Sequence, residues 1–216
     1  MLRRSPHLVV PLLLASICGL AAPAHAVEVV AGMKIGFTRS NMVGNDLADP
    51  EGMNNLTLGG ILGWEINDWF AVQLQPLWTQ KGAELKNYSV GDLPTTLNLD
   101  YLEFPVLAKF KRSIGEDRRG GVFGVVGPAL AVKLRANVVV AGAETNVSDN
   151  IHEADWGVAF GGGYDIASGP GVTTIDVRYV MGLGDVFNDD APNPEATDGL
   201  KNGSLQITIG WFTGVF

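Results

Sequence analysis

Charged side chains recur on the polar side of segments in which apolar residues alternate with small or polar ones. Lysine and arginine at such positions bind anions or pair with carboxylates, and carboxylates pair with cations or hold metal ions. If these segments enclose one interior, the charges either line a path for ions or solutes or pair with one another and fill it. The predicted interior set is Lys34, Glu65, Glu103, Lys109, Lys133, Arg135, Asp155, Asp176 and Arg178, with Lys111, Glu153 and Asp165 beside them.

His152 is the residue on which an enzymatic interpretation depends. It follows Ser148 and Asp149 and precedes Glu153, so it could act as the base of a lipid-modifying hydrolase. No further motif supports such a site, and closeness in sequence alone does not make a nucleophile and base pair. We therefore expect no enzyme and no catalytic residue.

An acidic segment near the C-terminus offers oxygen atoms to a cation. Residues 185–203 contain one cation, Lys201, and five carboxylates: Asp185, Asp189, Asp190, Glu195 and Asp198. A calcium site needs clustered oxygen ligands in a defined order, and this segment does not match the EF-hand spacing. Two prolines indicate an open, solvated loop. We predict neither a metal nor a cofactor.

Composition and charge exclude several classes of function. The formal net charge of -8 repels the phosphates of nucleic acids, and an apolar fraction of 46% argues against a disordered chain. Charged residues make up 18%, below the roughly 25% of soluble domains, and glycine, at 28 of 216 residues, is about twice as frequent as usual. This profile fits a single β-rich domain better than a coiled coil.

Residues 1–26 are typical of a cleaved export signal. Arg3 and Arg4 precede an apolar stretch at 8–20, and Ala24-His25-Ala26 matches a signal-peptidase site. The stretch is shorter than the roughly 20 residues of a transmembrane helix. Cleavage would remove Cys18, the single cysteine. The predicted domain therefore comprises residues 27–216 and has no disulfide.

Period-2 alternation recurs eight times after residue 26 and predicts eight strands. The strands are predicted near residues 29–37, 56–66, 70–78, 102–110, 121–135, 156–164, 175–181 and 205–211. Long connections near 39–53, 81–96, 137–150 and 185–203 alternate with short ones. This pattern is typical of a closed antiparallel transmembrane β-barrel, an up-and-down meander with short periplasmic turns and long outer loops.

The distribution of apolar and small residues predicts which face of the barrel points outward. One face is continuously apolar, and the other is rich in glycine and small polar residues. A soluble barrel would expose the polar face, whereas glycine in a narrow interior makes room for larger neighbours. Aromatic residues predicted to form girdles at the two lipid interfaces are Trp64, Trp69, Phe70, Trp78, Trp156, Trp211 and Phe216.

Four segments resemble the PorT-like family of outer-membrane β-barrels. They are residues 75–82 (QPLWTQKG), 101–110 (YLEFPVLAKF), 124–132 (GVVGPALAV) and 176–186 (DVRYVMGLGDV). The resemblance covers nearly all of residues 27–216 and implies an eight-stranded barrel in the outer membrane. The family's namesake assists a secretion and gliding apparatus, and most members have no assigned activity. Family motifs and depth together suggest that Glu103 pairs with Arg178.

Two residues depart from the simple strand pattern. Phe216, at the end of the chain, shares the parity of inward-facing residues; either a bulge near Gly214 restores it to the lipid face or the last strand ends near Phe212. Pro105 cannot donate to a strand ladder, so we expect a local bulge there.

The sequence thus predicts a non-enzymatic protein of the outer membrane with a structural or interaction role in the cell envelope through its acidic outer loops. A small passive, porin-like channel is the alternative, and a lipid-modifying hydrolase at the rim is a further one. Expected partners are outer-membrane lipid and lipopolysaccharide, the assembly machinery through the C-terminal strand, and a protein at the outer loops. No nucleic acid is expected.

Overall fold

The computed structural model describes residues 27–43, 51–85, 95–115, 119–140, 142–186 and 201–215. The predicted signal peptide at 1–26, the C-terminal Phe216 and most of the acidic segment 185–203 lie outside these ranges. The strands are β1 (Glu28–Val43), β2 (Glu51–Asn67), β3 (Phe70–Leu74), β4 (Leu77–Leu85), β5 (Thr95–Ile114), β6 (Gly120–Val140), β7 (Ala143–Asn146), β8 (Ala154–Ser168), β9 (Gly171–Gly182) and β10 (Lys201–Gly214). A short 3-10 helix spans Ser148–Asn150.

These strands form a closed antiparallel ring of eight members. Each member pairs with the next along the chain, and β1 closes the ring by pairing with β10 from Val30 opposite Gly214 to Val43 opposite Lys201. β3 and β4 together make one member, because both pair with β2 on one side and β5 on the other. β7 pairs with the outer end of β6. The predicted eight-stranded closed meander is therefore confirmed.

The third member of the ring is interrupted at Pro76, near Pro105 of the neighbouring β5, without a shift in register. Leu74 stands opposite Val106 and Leu77 opposite Glu103, so four residues face four across the break between β3 and β4. Pro76 and Pro105 both lack an amide hydrogen, which removes ladder bonds there. The predicted bulge at Pro105 is wrong, because no residue is inserted on either side.

A bulge lies farther out along the same pair of strands, in β6. Asp100 stands opposite Arg135, but Tyr101 stands opposite Lys133, so Leu134 is the inserted residue. The insertion shifts the alternation of β6 by one residue, so the inward and outward positions exchange beyond Leu134. Beyond it, Arg135 is exposed and Ala136 is buried.

Several strands run well beyond the length that a bilayer requires. β5 has 20 residues and β6 has 21, whereas about 9–11 tilted residues cross the hydrocarbon. The sequence predictions placed parts of these extensions in loops. The strands run into the predicted connections: β1 ends at Val43 and β2 begins at Glu51, β4 ends at Leu85 and β5 begins at Thr95, and much of the segment 137–150 is a hairpin of β6 and β7. Both extended strands project from the long-loop end.

The outward face of the ring is apolar and the inward face is polar. On β1, Met33 and Phe37 are 72% and 69% exposed, whereas the intervening Lys34 and Thr38 are 4% and 0% exposed. A water-soluble barrel shows the opposite arrangement, so the apolar belt fits a surface in contact with lipid. None of the helices in the described ranges is long and apolar enough to cross a membrane.

The side chains predicted to form the aromatic girdles are exposed to different extents. Trp69 and Trp156 are strongly exposed, and Trp211 is exposed at the inner end of β10. Trp64, Phe70 and Trp78 are half-buried. Trp69 and Phe70 form one cluster with Phe110, with ring centroids 5.4 to 6.2 Å apart, next to the short turn between β2 and β3. Aromatic side chains at this position suit a lipid interface.

The outward belt predicts a depth-dependent cost for a charged residue. Changing Ile207, exposed in the middle of β10, to Arg is expected to lower the free energy of unfolding by about 2–4 kcal/mol, because the guanidinium would enter hydrocarbon. The same change at Asn41, exposed beyond the belt on β1, is expected to cost about 0–1 kcal/mol. Urea unfolding in lipid vesicles measures both, and equal costs would contradict a lipid-facing belt.

Candidate functional site: the filled interior of the barrel

In the inner third of the interior, two lysines of β5 pair with carboxylates of other strands. Lys109 Nζ lies 2.7 Å from Asp165 Oδ2 on β8 and 3.9 Å from the centre of the Phe123 ring. Lys111 pairs with Glu65 on β2, closer to the mouth and partly accessible to solvent. Each pair joins strands that are not neighbours in the ring, so the pairs act as cross-links through the interior.

The middle third contains Lys34, Asp176 and Arg178. Lys34 Nζ donates to Asp176 Oδ2 at 2.6 Å and to Gln75 Oε1 at 3.1 Å, and Thr208 also donates to Asp176 at 2.9 Å. Arg178 is 1% exposed, and its Nε lies 3.4 Å from Asp176 Oδ1. Inward-facing glycine makes this possible: a Cβ on Gly161 would lie 2.6 Å from the Cα of Arg178.

The outer third is centred on Glu103, which is 1% exposed. Lys81 Nζ lies 2.6 Å from Glu103 Oε1, and Gln206 donates to Glu103 Oε2 at 2.9 Å. Gln206 belongs to β10, on the opposite wall, so this hydrogen bond crosses the whole interior. Farther out, Asn202 donates to Asp155 Oδ2 at 2.9 Å.

An apolar cluster closes the interior at its long-loop end. Its buried members on β5 and β6 are joined by Ile151 and Val186, which come from the connections beyond the strands. The amide of His152 donates to the carbonyl of Val186 at 3.0 Å and ties the two connections together. The complete cluster is Leu97, Leu99, Tyr101, Ala131, Ala136, Ile151 and Val186.

The opposite mouth is open. A cavity of about 770 Å³ lies there, with Glu65, Lys111 and Asp165 in its wall and Trp69 at its rim. Val30, Ile61 and Phe212 pack together above it, so the cavity ends at a layer of apolar side chains. Within the described ranges the interior is therefore open at one end and closed by side chains at the other.

Most, but not all, of the predicted interior charges lie inside. Lys34, Glu103, Lys109, Asp155, Asp176 and Arg178 are buried, and Glu65 is half-buried at the mouth. Lys133 is half-buried and donates to the backbone carbonyls of Ser148 and Ile151 instead of meeting a carboxylate. Arg135 and Glu153 are exposed, so their predicted inward position is wrong. For Arg135 the cause is the inserted Leu134.

The predicted pair of Glu103 with Arg178 is also wrong, because Glu103 pairs with Lys81. Lys81 was missed because the predicted strand ended before it. The signal was nonetheless present, since the inward alternation of Gln73, Gln75, Leu77 and Thr79 continues to Lys81.

The residues considered for a hydrolase do not form a nucleophile and base pair. The hydroxyl of Ser148 accepts from the amide of Ala136 at 3.1 Å, and His152 is exposed. Among the residues with described positions, no group of three histidine, cysteine or acidic side chains could hold a metal ion.

Comparisons with known proteins agree with the β-barrel fold of the structure. Residues 23–188 match the family described as outer membrane protein beta-barrel domain. None of the curated proteins compared with the chain matches it. Among solved structures, the chain is similar to Neisserial surface protein A (NspA), with 15% identity, a TM-score of 0.51 and coverage of 87% of this chain and 97% of that one.

Two further solved structures are similar at low identity. The outer membrane protein OprG from Pseudomonas aeruginosa has 13% identity and a TM-score of 0.50, with 89% of this chain and 99% of that one covered. Ail, the attachment invasion locus protein of Yersinia pestis, solved in complex with the heparin analogue sucrose octasulfate, has 18% identity and a TM-score of 0.46, with 86% and 99% covered. The likeness to NspA and OprG concerns the fold alone.

The buried pair of Lys81 and Glu103 predicts a large cost for removing one partner. Lys81→Met is expected to lower the free energy of unfolding by about 3–5 kcal/mol, because it leaves a buried carboxylate without its cation. Adding Glu103→Leu is expected to recover part of that loss. Lys111→Met, at the accessible pair near the mouth, is the control and is expected to cost less. Additive costs in a double-mutant cycle, measured by urea unfolding, would contradict the pairing.

Proposed function

The chain belongs to the outer membrane protein beta-barrel domain family, and from that premise we propose that it is a non-conducting, non-enzymatic barrel that acts through the surface it presents outside the cell. The observation that carries the proposal is the interior filled across its whole width. Glu103 meets Lys81 on the neighbouring strand and Gln206 on the opposite wall, leaving little room for a solute. Eight-stranded barrels are just wide enough for side chains to fill.

The apolar closure at the long-loop end supports the same proposal. In outer-membrane barrels the long loops face outward and the short turns face the periplasm. Leu99, Ile151 and Val186 would then seal the interior on the outer side, while the open mouth would face the periplasm. A path for ions would have to displace both the apolar cluster and the pair of Lys81 with Glu103.

The extensions of β5, β6 and β7 are the part of the structure best suited to contact a partner. They project from the long-loop end, and β7 is exposed along all four residues. The exposed charged residues described at this end are both acidic and basic: Glu144, Asp149, Glu153, Asp185, Arg39, Arg135 and Lys201. The remaining acidic loop residues lie outside the described ranges. We propose that this acidic outer surface binds a basic protein partner or, through divalent cations, lipopolysaccharide.

Basic residues on the outward face add a second mode of lipid contact. Arg39 follows Phe37 on β1, and Lys201 lies beyond Leu205 on β10; both basic side chains are exposed. At this height, just outside the apolar belt, a cation suits the phosphates of lipopolysaccharide. Export by the signal peptide, folding by the assembly machinery through the C-terminal strand, and a PorT-like role in the envelope belong to the same proposal.

A passive channel is the second candidate, and the open mouth is the observation that favours it. The cavity of about 770 Å³ would bring water and ions well into the barrel from one side. The two candidates differ in whether the outer half of the interior opens.

Conductance distinguishes the two candidates. The purified protein, checked for heat-modifiable migration, is expected to give no single-channel steps in a planar bilayer, because charged pairs and the apolar cluster fill the interior. A variant with Lys81→Ser, Glu103→Ser and Tyr101→Ser is expected to give small steps and serves as the control for sensitivity. Steady steps from the unchanged protein would overturn the proposal in favour of the channel.

Cysteine labelling tests the orientation. In a Cys18→Ser background, Thr145→Cys in exposed β7 is expected to react with a membrane-impermeant maleimide on intact cells. Asp68→Cys, exposed in the short turn between β2 and β3, is expected to react only after the cells are permeabilised. Labelling of Asp68→Cys on intact cells would contradict the proposed orientation.

A further inference from the structure

A small cavity lies in the middle of the interior, separate from the open mouth. Its volume is about 10 Å³, enough for one ion or molecule of the size of water. Polar and apolar side chains share its wall, and the wall is closed to the mouth by the packed layer of Val30, Ile61 and Phe212. The wall consists of Lys34, Ile61, Gln73, Gln75, Leu107, Phe123, Val125, Thr174, Asp176 and Arg178.

Arg178 brings a cation to this cavity that the carboxylates of the interior do not fully neutralise. Asp176, Glu103 and Asp165 each lie 2.6 to 2.7 Å from a lysine, and the buried Asp155, farther out, accepts a hydrogen bond from Asn202. Arg178 keeps a longer contact of 3.4 Å with Asp176, and its Nε, Nη1 and Nη2 have no hydrogen-bond acceptor among the described residues. A buried guanidinium with all its donors unused is strongly disfavoured unless an acceptor meets it.

Gln73, which also lines the cavity, carries a second unused donor, and the orientation of its amide is fixed by a chain of hydrogen bonds. The Lys34 ammonium can only donate, so Gln75 must offer it Oε1. The Gln75 amide then donates to Gln73 Oε1 at 2.8 Å. This leaves Gln73 Nε2 directed away from that bond, buried and without an acceptor.

We propose that this cavity binds one chloride-sized inorganic anion, held by the Arg178 guanidinium and the Gln73 amide. The charges of its wall support a monovalent anion, because Lys34 and Arg178 carry two positive charges against one on Asp176. Asp176 also lines the cavity and opposes an anion, but Lys34 and Thr208 both donate to its Oδ2. A water molecule would satisfy donors without balancing the charge. The apolar part of the wall excludes bulk water and strengthens the attraction.

The anion reaches the cavity from the open mouth. Lys109 stands between the two spaces: its partner Asp165 lines the mouth, and its neighbour Phe123 lines the inner cavity. A rotation of Phe212 and Lys109 would connect them, whereas the route outward is closed by Glu103 and the apolar cluster. The site is thus a blind pocket filled from one side.

Thermal unfolding in matched salts tests the site. The protein in detergent is expected to unfold about 3–8 °C higher in 0.5 M sodium chloride than in 0.5 M sodium gluconate, since gluconate is too large for the cavity and binding stabilises the folded state. Arg178→Gln and Gln73→Met are expected to remove most of this difference. The matched controls, Arg135→Gln and Gln80→Met, change the same residue types on the outer surface and are expected to keep it.

Crystals of the unchanged protein grown in sodium bromide give a second measurement that does not depend on any variant folding. An anomalous peak is expected within hydrogen-bond distance of Arg178 and Gln73 Nε2. Water without anomalous signal at that position, or a chloride effect that survives Arg178→Gln, would overturn the proposal.

Discussion

Closure of the ring is the constraint on which the rest of the structure depends. In hydrocarbon an unpaired backbone amide has no partner, so every spanning strand must have a neighbour on both sides. The pairing of β1 with β10 supplies the last of these neighbours. Eight members then fix a narrow interior, and each strand must turn one face to lipid and the other to its own side chains. The apolar belt and the polar interior are two consequences of the same closure.

The narrow interior explains why its charges stand in pairs and where the pairs run. Lys34 on β1 meets Asp176 on β9, and Lys109 on β5 meets Asp165 on β8, so each bridge passes over the strand between. The bond from Gln206 to Glu103 crosses to the opposite wall. Such cross-links oppose flattening of the barrel. Because Asp176 already pairs with Lys34, Arg178 keeps only a longer contact with that carboxylate.

The sequence predicts which side chains point into the barrel, but it does not predict which charged side chains pair with each other, and the reason is physical. Alternation has a period of exactly two residues along a strand, so the inward positions of Lys34, Asp176 and Arg178 follow from the sequence. Which charge meets which depends on the shear between strands, and one inserted residue changes it. Leu134 turns Arg135 outward, and continued strand at Lys81 supplies Glu103 with a partner other than Arg178. The bulge predicted at Pro105 fails for a related reason. Pro105 lies beside the break between β3 and β4, so its missing amide hydrogen needs no bulge.

The two ends of the interior differ in a way that bears on function. At the long-loop end, Ile151 and Val186 come from connections, yet they are buried with the strand residues Leu99 and Ala136. The two connections are thereby anchored beside the strand ends. At the short-turn end the cavity stays open and is rimmed by charges. Under the proposed function, recognition outside the cell and exchange of small ions with the interior are therefore separated: the first uses the outer extensions, and the second reaches the interior only from the periplasm.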